Sequence, residues 1–327
     1  MSMVSGDGSG VEASAVEEVG SGIWRIRQPI PDAASVAFTF SYLIEDGCGS
    51  VHVIDPGSDT EDNWDRLLRS TRLIRRSVAD IATVVVTHLH ADHLGLADLV
   101  RRRTGARVAL LAEEAATLRA PLDRWDPELL ASQMRRWGVP EPQAGELIES
   151  LRRRPPTPAF DTDYELFDGE LLDAPGRRLR VLATPGHTAG HLCLLDEDER
   201  LLFTGDHVLP EMNPGIGLGA PSRENPLTQY LASLERLEDI SAIGMPGHQR
   251  SITDLAARAR EIRFHHLRRG EEIARLQRPG RLSIWETASR LAWRGGWPAL
   301  TAYHRHSALS QVEMHLRRLG GSNAPSY

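Results

Sequence analysis

Four metal-binding side chains fall within six positions, His88-Leu89-His90-Ala91-Asp92-His93. Neither a strand nor a helix can turn all four to one side, because strands alternate faces and helices advance about 100° per residue. The stretch must therefore be a turn between elements. The apolar run Val84-Val85-Val86 before it reads as part of a buried strand over 81–87, and Leu94 to Arg103 after it as a helix. A strand-to-helix turn directs His88 and His90 towards one centre and Asp92 and His93 towards its neighbour. Neutral imidazoles with a carboxylate suit zinc.

Three more candidate ligands follow, each in a turn after an apolar run: His187 in Thr184-Pro-Gly-His-Thr, Asp206 in Phe203-Thr-Gly-Asp-His and His248 in Met245-Pro-Gly-His-Gln. Their glycines let the backbone bend sharply and pass close to an ion. In order and spacing, the motifs HxHxDH, GH, GD and GH resemble the metallo-β-lactamase superfamily, specifically its hydroxyacylglutathione-hydrolase-like branch, over about residues 20 to 250. The resemblance implies an α+β fold, the αββα sandwich of two mixed sheets with helices outside and the metals at one edge. It makes His88, His90 and His187 ligands of a first ion and Asp92, His93 and His248 ligands of a second, with Asp206 bridging them. Two Zn2+ ions are implied, with Fe or Mn as options. Asp55 in Asp55-Pro56-Gly57 matches an aspartate that supports the ligands by hydrogen bonds, a role that fixes ligand orientation. His191 is read as a hydrogen-bonded histidine beside the ligands, since all seven ligand positions are already filled.

A chain of 327 residues has room for such a domain plus a smaller one and can bury a substantial core. Two cysteines, Cys48 and Cys193, are too few for a disulfide framework, and both read as structural. No run of about eighteen apolar residues exists, so no membrane span is expected. The first 20 residues, rich in Gly, Ser and Glu, lack the basic start and apolar core of a signal peptide and read as a disordered leader; the default location is cytoplasmic. All 38 basic residues are arginine, a mark of genomic base composition.

Residues 21–252 are assigned to the catalytic domain. Within it the β pattern lapses over about 112–163, where Glu113 to Leu118, Pro127 to Trp137 and Glu141 to Arg154 read as helices. Such an insertion is placed over the active-site groove, where Trp125, Met134 and Trp137 can meet an apolar part of a substrate and Arg135, Arg136 or Arg152 to Arg154 an anionic part. Ordinary helix packing is the plainer explanation for any one of them. The loop from Val208 to Ala220, carrying Met212, Asn213 and three glycines, follows a ligand and reads as a pocket wall able to move over substrate. Asn225 before Pro226 reads as a helix N-cap.

Beyond Thr253 the character changes. Residues 255–327 carry thirteen arginines and five acids, a balance of +8, which leaves −15 for the first 254 of a chain with net charge −7. A long helix from Asp254 to Leu276, then Ser283 to Trp293, Pro298 to His304 and Ser307 to Leu319, resembles the small winged-helix-like C-terminal domain of the subgroup close to the β-lactamase-like protein 2 enzymes. A basic unit of this kind fits nucleic acid through phosphate contacts. Against that partner stands the acidic catalytic domain, which repels a polyanion on its way to the metals. Ile262, Leu267, Ile273 and Leu276 more simply pack the extension on the main domain or on a second copy, as in a homodimer.

Two cations about 3.5 to 4 Å apart can hold a bridging hydroxide and polarise a scissile carbonyl or phosphoryl oxygen. The expected activity is therefore hydrolysis of a thioester, ester or lactone of a small organic substrate, with Asp92 as the catalytic residue that orients the attacking water or relays a proton. The alternative is a metal-dependent phosphodiesterase or ribonuclease that uses the basic C-terminal domain.

Overall fold

The computed structural model describes residues 16–31, 36–119, 126–153, 161–219, 224–278, 280 and 282–320. Its first half runs β1 (Glu17–Gly20), β2 (Ile23–Pro29), β3 (Phe38–Glu45), β4 (Val51–Ile54), α1 (Glu61–Leu73), β5 (Ile81–Val85), α2 (Ala91–Leu94), α3 (Ala97–Thr104), β6 (Arg107–Leu111) and α4 (Ala112–Arg119). Two further helices, α5 (Pro127–Trp137) and α6 (Glu141–Arg152), precede β7 (Tyr164–Leu166). The second half runs β8 (Leu179–Ala183), β9 (Leu192–Asp196), β10 (Leu201–Gly205), α7 (Pro226–Leu237) and β11 (Ile243–Pro246), then α8 (Leu255–Gln277), α9 (Ile284–Arg290) and α10 (Ala302–Arg318).

Strands β1 to β7 form one sheet in sequence order, antiparallel as far as β4 and parallel from β4 to β7. The other sheet runs β11-β10-β9-β8, with β10 and β11 parallel and the rest antiparallel. Alternation along β3 shows why the sheets face each other. Phe40, Tyr42 and Ile44 point into a core shared with Val181, Leu194 and Phe203 of the second sheet. Leu43, between them, packs on the outer side with Trp64 and Leu67 of α1 and Val100 of α3. The second sheet's outer face, Leu182, Cys193 and Leu202, is covered by Tyr230 and Leu234 of α7 and Ile262 of α8. The molecule is thus the α+β, αββα sandwich that the sequence implied.

The insertion helices find their partners at the far end of the chain. Met134, Trp137, Val139 and Leu147 share a core with Ile273, Ala288, Leu309 and Val312. Ile262 and Leu267 pack on α7, and Ile273 and Leu276 on this helical core, so the apolar face of α8 is covered within its own chain. Among the described residues no strand follows β11, and the C-terminal region is helical.

Three expectations change. Glu17–Gly20, assigned to a disordered leader over 1–20, pairs with β2; residues 1–15 lie outside the described residues. The last two helical segments are instead a short 3-10 turn at Trp297–Ala299 and one helix from Ala302, capped by the Thr301 hydroxyl. Trp137 is fully buried in the helical core and offers no surface to a substrate, and Met134 is buried beside it. Trp125 lies outside the described residues.

Candidate metal centre

The seven candidate ligands all sit just beyond the C-terminal ends of strands. His88 to His93 follow β5, with His93 on the single turn of α2; His187 follows β8, Asp206 follows β10 and His248 follows β11. The strands therefore bring residues 160 positions apart to one edge of the sandwich. Close approach there requires glycine. A Cβ on Gly247 would lie 2.6 Å from His93 Cε1 and 2.9 Å from Asp206 Oδ1, and Gly205, at φ +46°, leaves no room for one beside Thr87. The hydroxyl of Tyr42 donates to Pro246 O (2.7 Å) and pins the turn that presents His248.

The side chains fall into two adjoining groups, His88, His90, His187 and Asp206, and Asp92, His93 and His248, with the ligand atoms of each group within 4.8 Å of one another. His90 Nδ1 is 2.9 Å from His88 Nε2 and 3.2 Å from His187 Nε2. His248 Nε2 lies 3.3 Å from both Asp92 Oδ2 and Asp206 Oδ1, and 3.4 Å from His93 Nε2. Asp206 stands between the groups, its Oδ1 3.5 Å from His93 Nε2 and its Oδ2 3.9 Å from His187 Nε2.

In every imidazole one nitrogen faces the centre while the other is tethered to an oxygen. His88 Nδ1 is 3.0 Å from Thr87 Oγ1, His90 Nε2 3.2 Å from Leu218 O, and His187 Nδ1 2.7 Å from Gly215 O. His93 Nδ1 is 2.7 Å from Asp55 Oδ2, and His248 Nδ1 2.8 Å from Phe38 O. A tethered N–H fixes ring direction and leaves the other nitrogen aimed inwards, a ligand once it is unprotonated. Asp55 ties the groups together. Its carboxylate accepts from the Thr87 N–H and hydroxyl, both at 2.7 Å, as well as from His93, and its backbone takes a left-handed φ of +52° to reach them. A non-glycine residue held there costs of order 1–3 kcal/mol, a strain typical of functional positions.

Charge divides the two groups. Burial pulls His88 well below the ordinary imidazole value, with the neighbouring His93, His90 and His187 adding to it; burial and His187 take His90 down to about 3, and His187 is lowered by burial as well. His93 and His248 go the other way. Burial would lower them, but Asp92, Asp55 and Asp206 lift His93 to about 9, and Asp206 and Asp92 lift His248 to about 11. Burial opposes ionisation of Asp92 and Asp206, yet His93 and His248 outweigh it and hold both carboxyls below their usual range. Five inward nitrogens with two ionised carboxylates are a donor set that fits divalent cations of the zinc, iron or manganese kind.

His191 is buried beside this set, its Nδ1 2.9 Å from Thr184 Oγ1 and its ring 5.2 Å from that of His88. Met212 and Asn213 are engaged by the C-terminal region: Arg258 of α8 donates to Met212 O (2.9 Å) and Asn213 Oδ1 (3.0 Å). Their loop, expected to move, is tied down at both ends, since Gly217 and Leu218 also donate to Gly186 O and His187 O, each at 2.8 Å. Sequence reasoning missed Thr39, whose hydroxyl donates to Asp92 Oδ2 (3.0 Å). It also missed Glu114 of α4, a buried carboxylate that accepts the Leu89 N–H (2.8 Å) in the first motif and the Gly190 N–H (2.9 Å) after His187. Glu114 is one of two adjacent glutamates at the start of α4, and no local pattern in the sequence set it apart.

Fold and donor set together define a metal-dependent hydrolase of the metallo-β-lactamase type. The family model described as Metallo-beta-lactamase superfamily matches residues 34–242, and the chain belongs to that superfamily. The chain is 32% identical to a metallo-beta-lactamase family protein from Thermus thermophilus of known crystal structure, with a TM-score of 0.72 over 91% of this chain and 94% of that one. The lactamase-like protein adaB of Aspergillus niger is 28% identical over 266 residues, 80% of this chain and 66% of adaB, so the match spans just under two thirds of that relative. An atrochrysone carboxyl ACP thioesterase of Claviceps purpurea is 25% identical over 264 residues, 80% of this chain and 67% of the thioesterase.

Proposed function

We propose that this protein is a binuclear hydrolase that cleaves a thioester, ester or lactone of a small organic substrate. One observation carries the reading: five tethered imidazoles and two carboxylates form adjoining clusters with Asp206 between them. His88, His90 and His187 would hold one cation and Asp92, His93 and His248 the other, with Asp206 shared; zinc is the first choice for this donor set. Two such cations supply Lewis acidity, lowering the pKa of water and polarising the scissile carbonyl.

The chain's own residues do the rest. Asp92 is the most exposed of the carboxylates, at 24% against 13% for Asp206, and so stands where solvent and substrate enter. Its ionised side chain accepts a hydrogen bond from the attacking water and orients it towards the carbonyl carbon, while the Thr39 hydroxyl holds Oδ2 in place. Asp55, through Thr87 and His93, keeps both clusters in register. The thioesterase name of the Claviceps purpurea relative supports carbonyl chemistry.

The test is a panel of model thioesters, esters, lactones and RNA, assayed with and without a chelator. Turnover of a carbonyl substrate that chelation abolishes and added zinc restores is expected. Cleavage of RNA alone, with binding that weakens steeply in salt, would replace this reading by the phosphodiesterase one.

A further inference from the structure

We infer that Arg258 is a positioning residue that sets the geometry of the first cluster from the C-terminal helices. The inference rests on the assignment of His88, His90, His187 and Asp206 to a first cation. Two of those imidazoles, His90 and His187, take their direction from the carbonyls of Leu218 and Gly215. Both carbonyls belong to an irregular loop, residues 207–219, which has no helix or sheet ladder of its own to hold it.

Backbone bonds from Gly217 and Leu218 to Gly186 O and His187 O hold the loop's second half, and Arg258 holds its first half. Its Nε donates to Leu209 O (2.8 Å), and one terminal nitrogen donates to Met212 O (2.9 Å) and Asn213 Oδ1 (3.0 Å). The other terminal nitrogen pairs with Glu261 Oε2 at 2.8 Å, so all three guanidinium nitrogens are used. The side chain is only 10% exposed, which removes competition from water. A planar fork spreads its donors over three nitrogens in a fixed geometry; a lysine ammonium, a single donor centre on a flexible stem, does not reproduce it. From the clamp at Asn213 to Gly215 O the chain has only Pro214 between, a residue with its φ fixed. A displacement at 212–213 therefore carries into the carbonyl that aims His187. On the far side, Asn225 Nδ2 donates to Met314 O of α10 (2.8 Å), and Ile216 packs with Met314, so the same helices brace the loop's other flank. The second cluster's histidines take their direction from Asp55 and Phe38 O, beside or within the first sheet. Among the described residues the loop reaches that cluster only through Glu211, which bonds Gln249 and Arg250 after His248 rather than the ligand itself.

The test measures zinc affinity by competition with a chromophoric chelator, on full-length protein, in two backgrounds. His93→Ala leaves the first cluster intact and His187→Ala leaves the second. Adding Arg258→Met is expected to weaken zinc by about tenfold or more in the first background and by less than about twofold in the second. Glu261→Gln, which keeps the guanidinium and its three acceptors, should stay near the wild-type affinity. If Arg258→Met fails to fold, as judged by circular dichroism, Arg258→Lys replaces it with the same selectivity expected. Equal losses in both backgrounds, or none in either, would overturn the inference. Wild-type protein that binds a single ion would instead overturn the two-cluster assignment, and an affinity for that ion unchanged by Arg258→Met would overturn the inference as well.

Discussion

Asp206 stands between the two clusters, which differ in what holds their imidazoles. In the first, His88, His90 and His187 hang from a threonine hydroxyl and two loop carbonyls, and burial keeps them neutral. In the second, His93 and His248 are held by Asp55 and by Phe38 O, and carboxylates keep them charged. The first cluster is electrostatically ready for a cation but depends on a loop; the second stands on the sheet scaffold but must give up protons before a cation can enter. Order of loading, pH dependence and sensitivity to remote substitutions should therefore differ between them.

The substitution with the largest expected effect removes the carboxylate that braces both clusters from behind. Asp55→Ala strands the Thr87 N–H and hydroxyl and frees His93. It should lower zinc affinity by about 10- to 100-fold, more at the second cluster than the first, with activity falling alongside; chelator competition measures each step. Equal losses would erase the asymmetry.

Proton release sharpens the comparison. The folded pKa values of His93 and His248, about 9 and about 11, lie above the ordinary imidazole value, so both are imidazolium in the metal-free protein at pH 7.5. Imidazoles must be neutral to bind a cation, and loading the second cluster should then release about two protons while the first releases almost none, as calorimetry in buffers of different ionisation enthalpy would reveal. Affinity at the second cluster should rise as pH climbs through about 9, and on acidification the second ion should leave first.

A smaller effect is expected at Thr39. Thr39→Val removes the donor to Asp92 Oδ2, and should lower kcat roughly tenfold, the scale of a hydrogen bond to a charged group, with both ions retained. Smallest for activity is Trp137→Phe. It should leave KM unchanged and lower only the thermal midpoint, because Trp137 fills the helical core; a raised KM would return it to the substrate pocket.

His88, His90, Asp92 and His93 were legible because their spacing is incompatible with any regular element, His187, Asp206 and His248 because their motifs resemble the family's, and the structure brings all seven to one edge. The apolar run of β5 was legible for a similarly local reason. What escaped is non-local. Arg258 reads as one more arginine in a basic helix until the fold sets it against residues 209–213. Periodicity told that Trp137 faces something apolar, but the partner, α9 and α10, lies more than a hundred residues away. Glu17–Gly20 has no strand signal of its own and is ordered by pairing with β2.

The most direct test of the central claim is the number of metal ions per chain, measured by elemental analysis of wild-type protein after metal-replete expression and dialysis. Two ions, the second lost on His248→Ala while the first remains, is the predicted result. One ion or fewer in the wild type would contradict a binuclear centre.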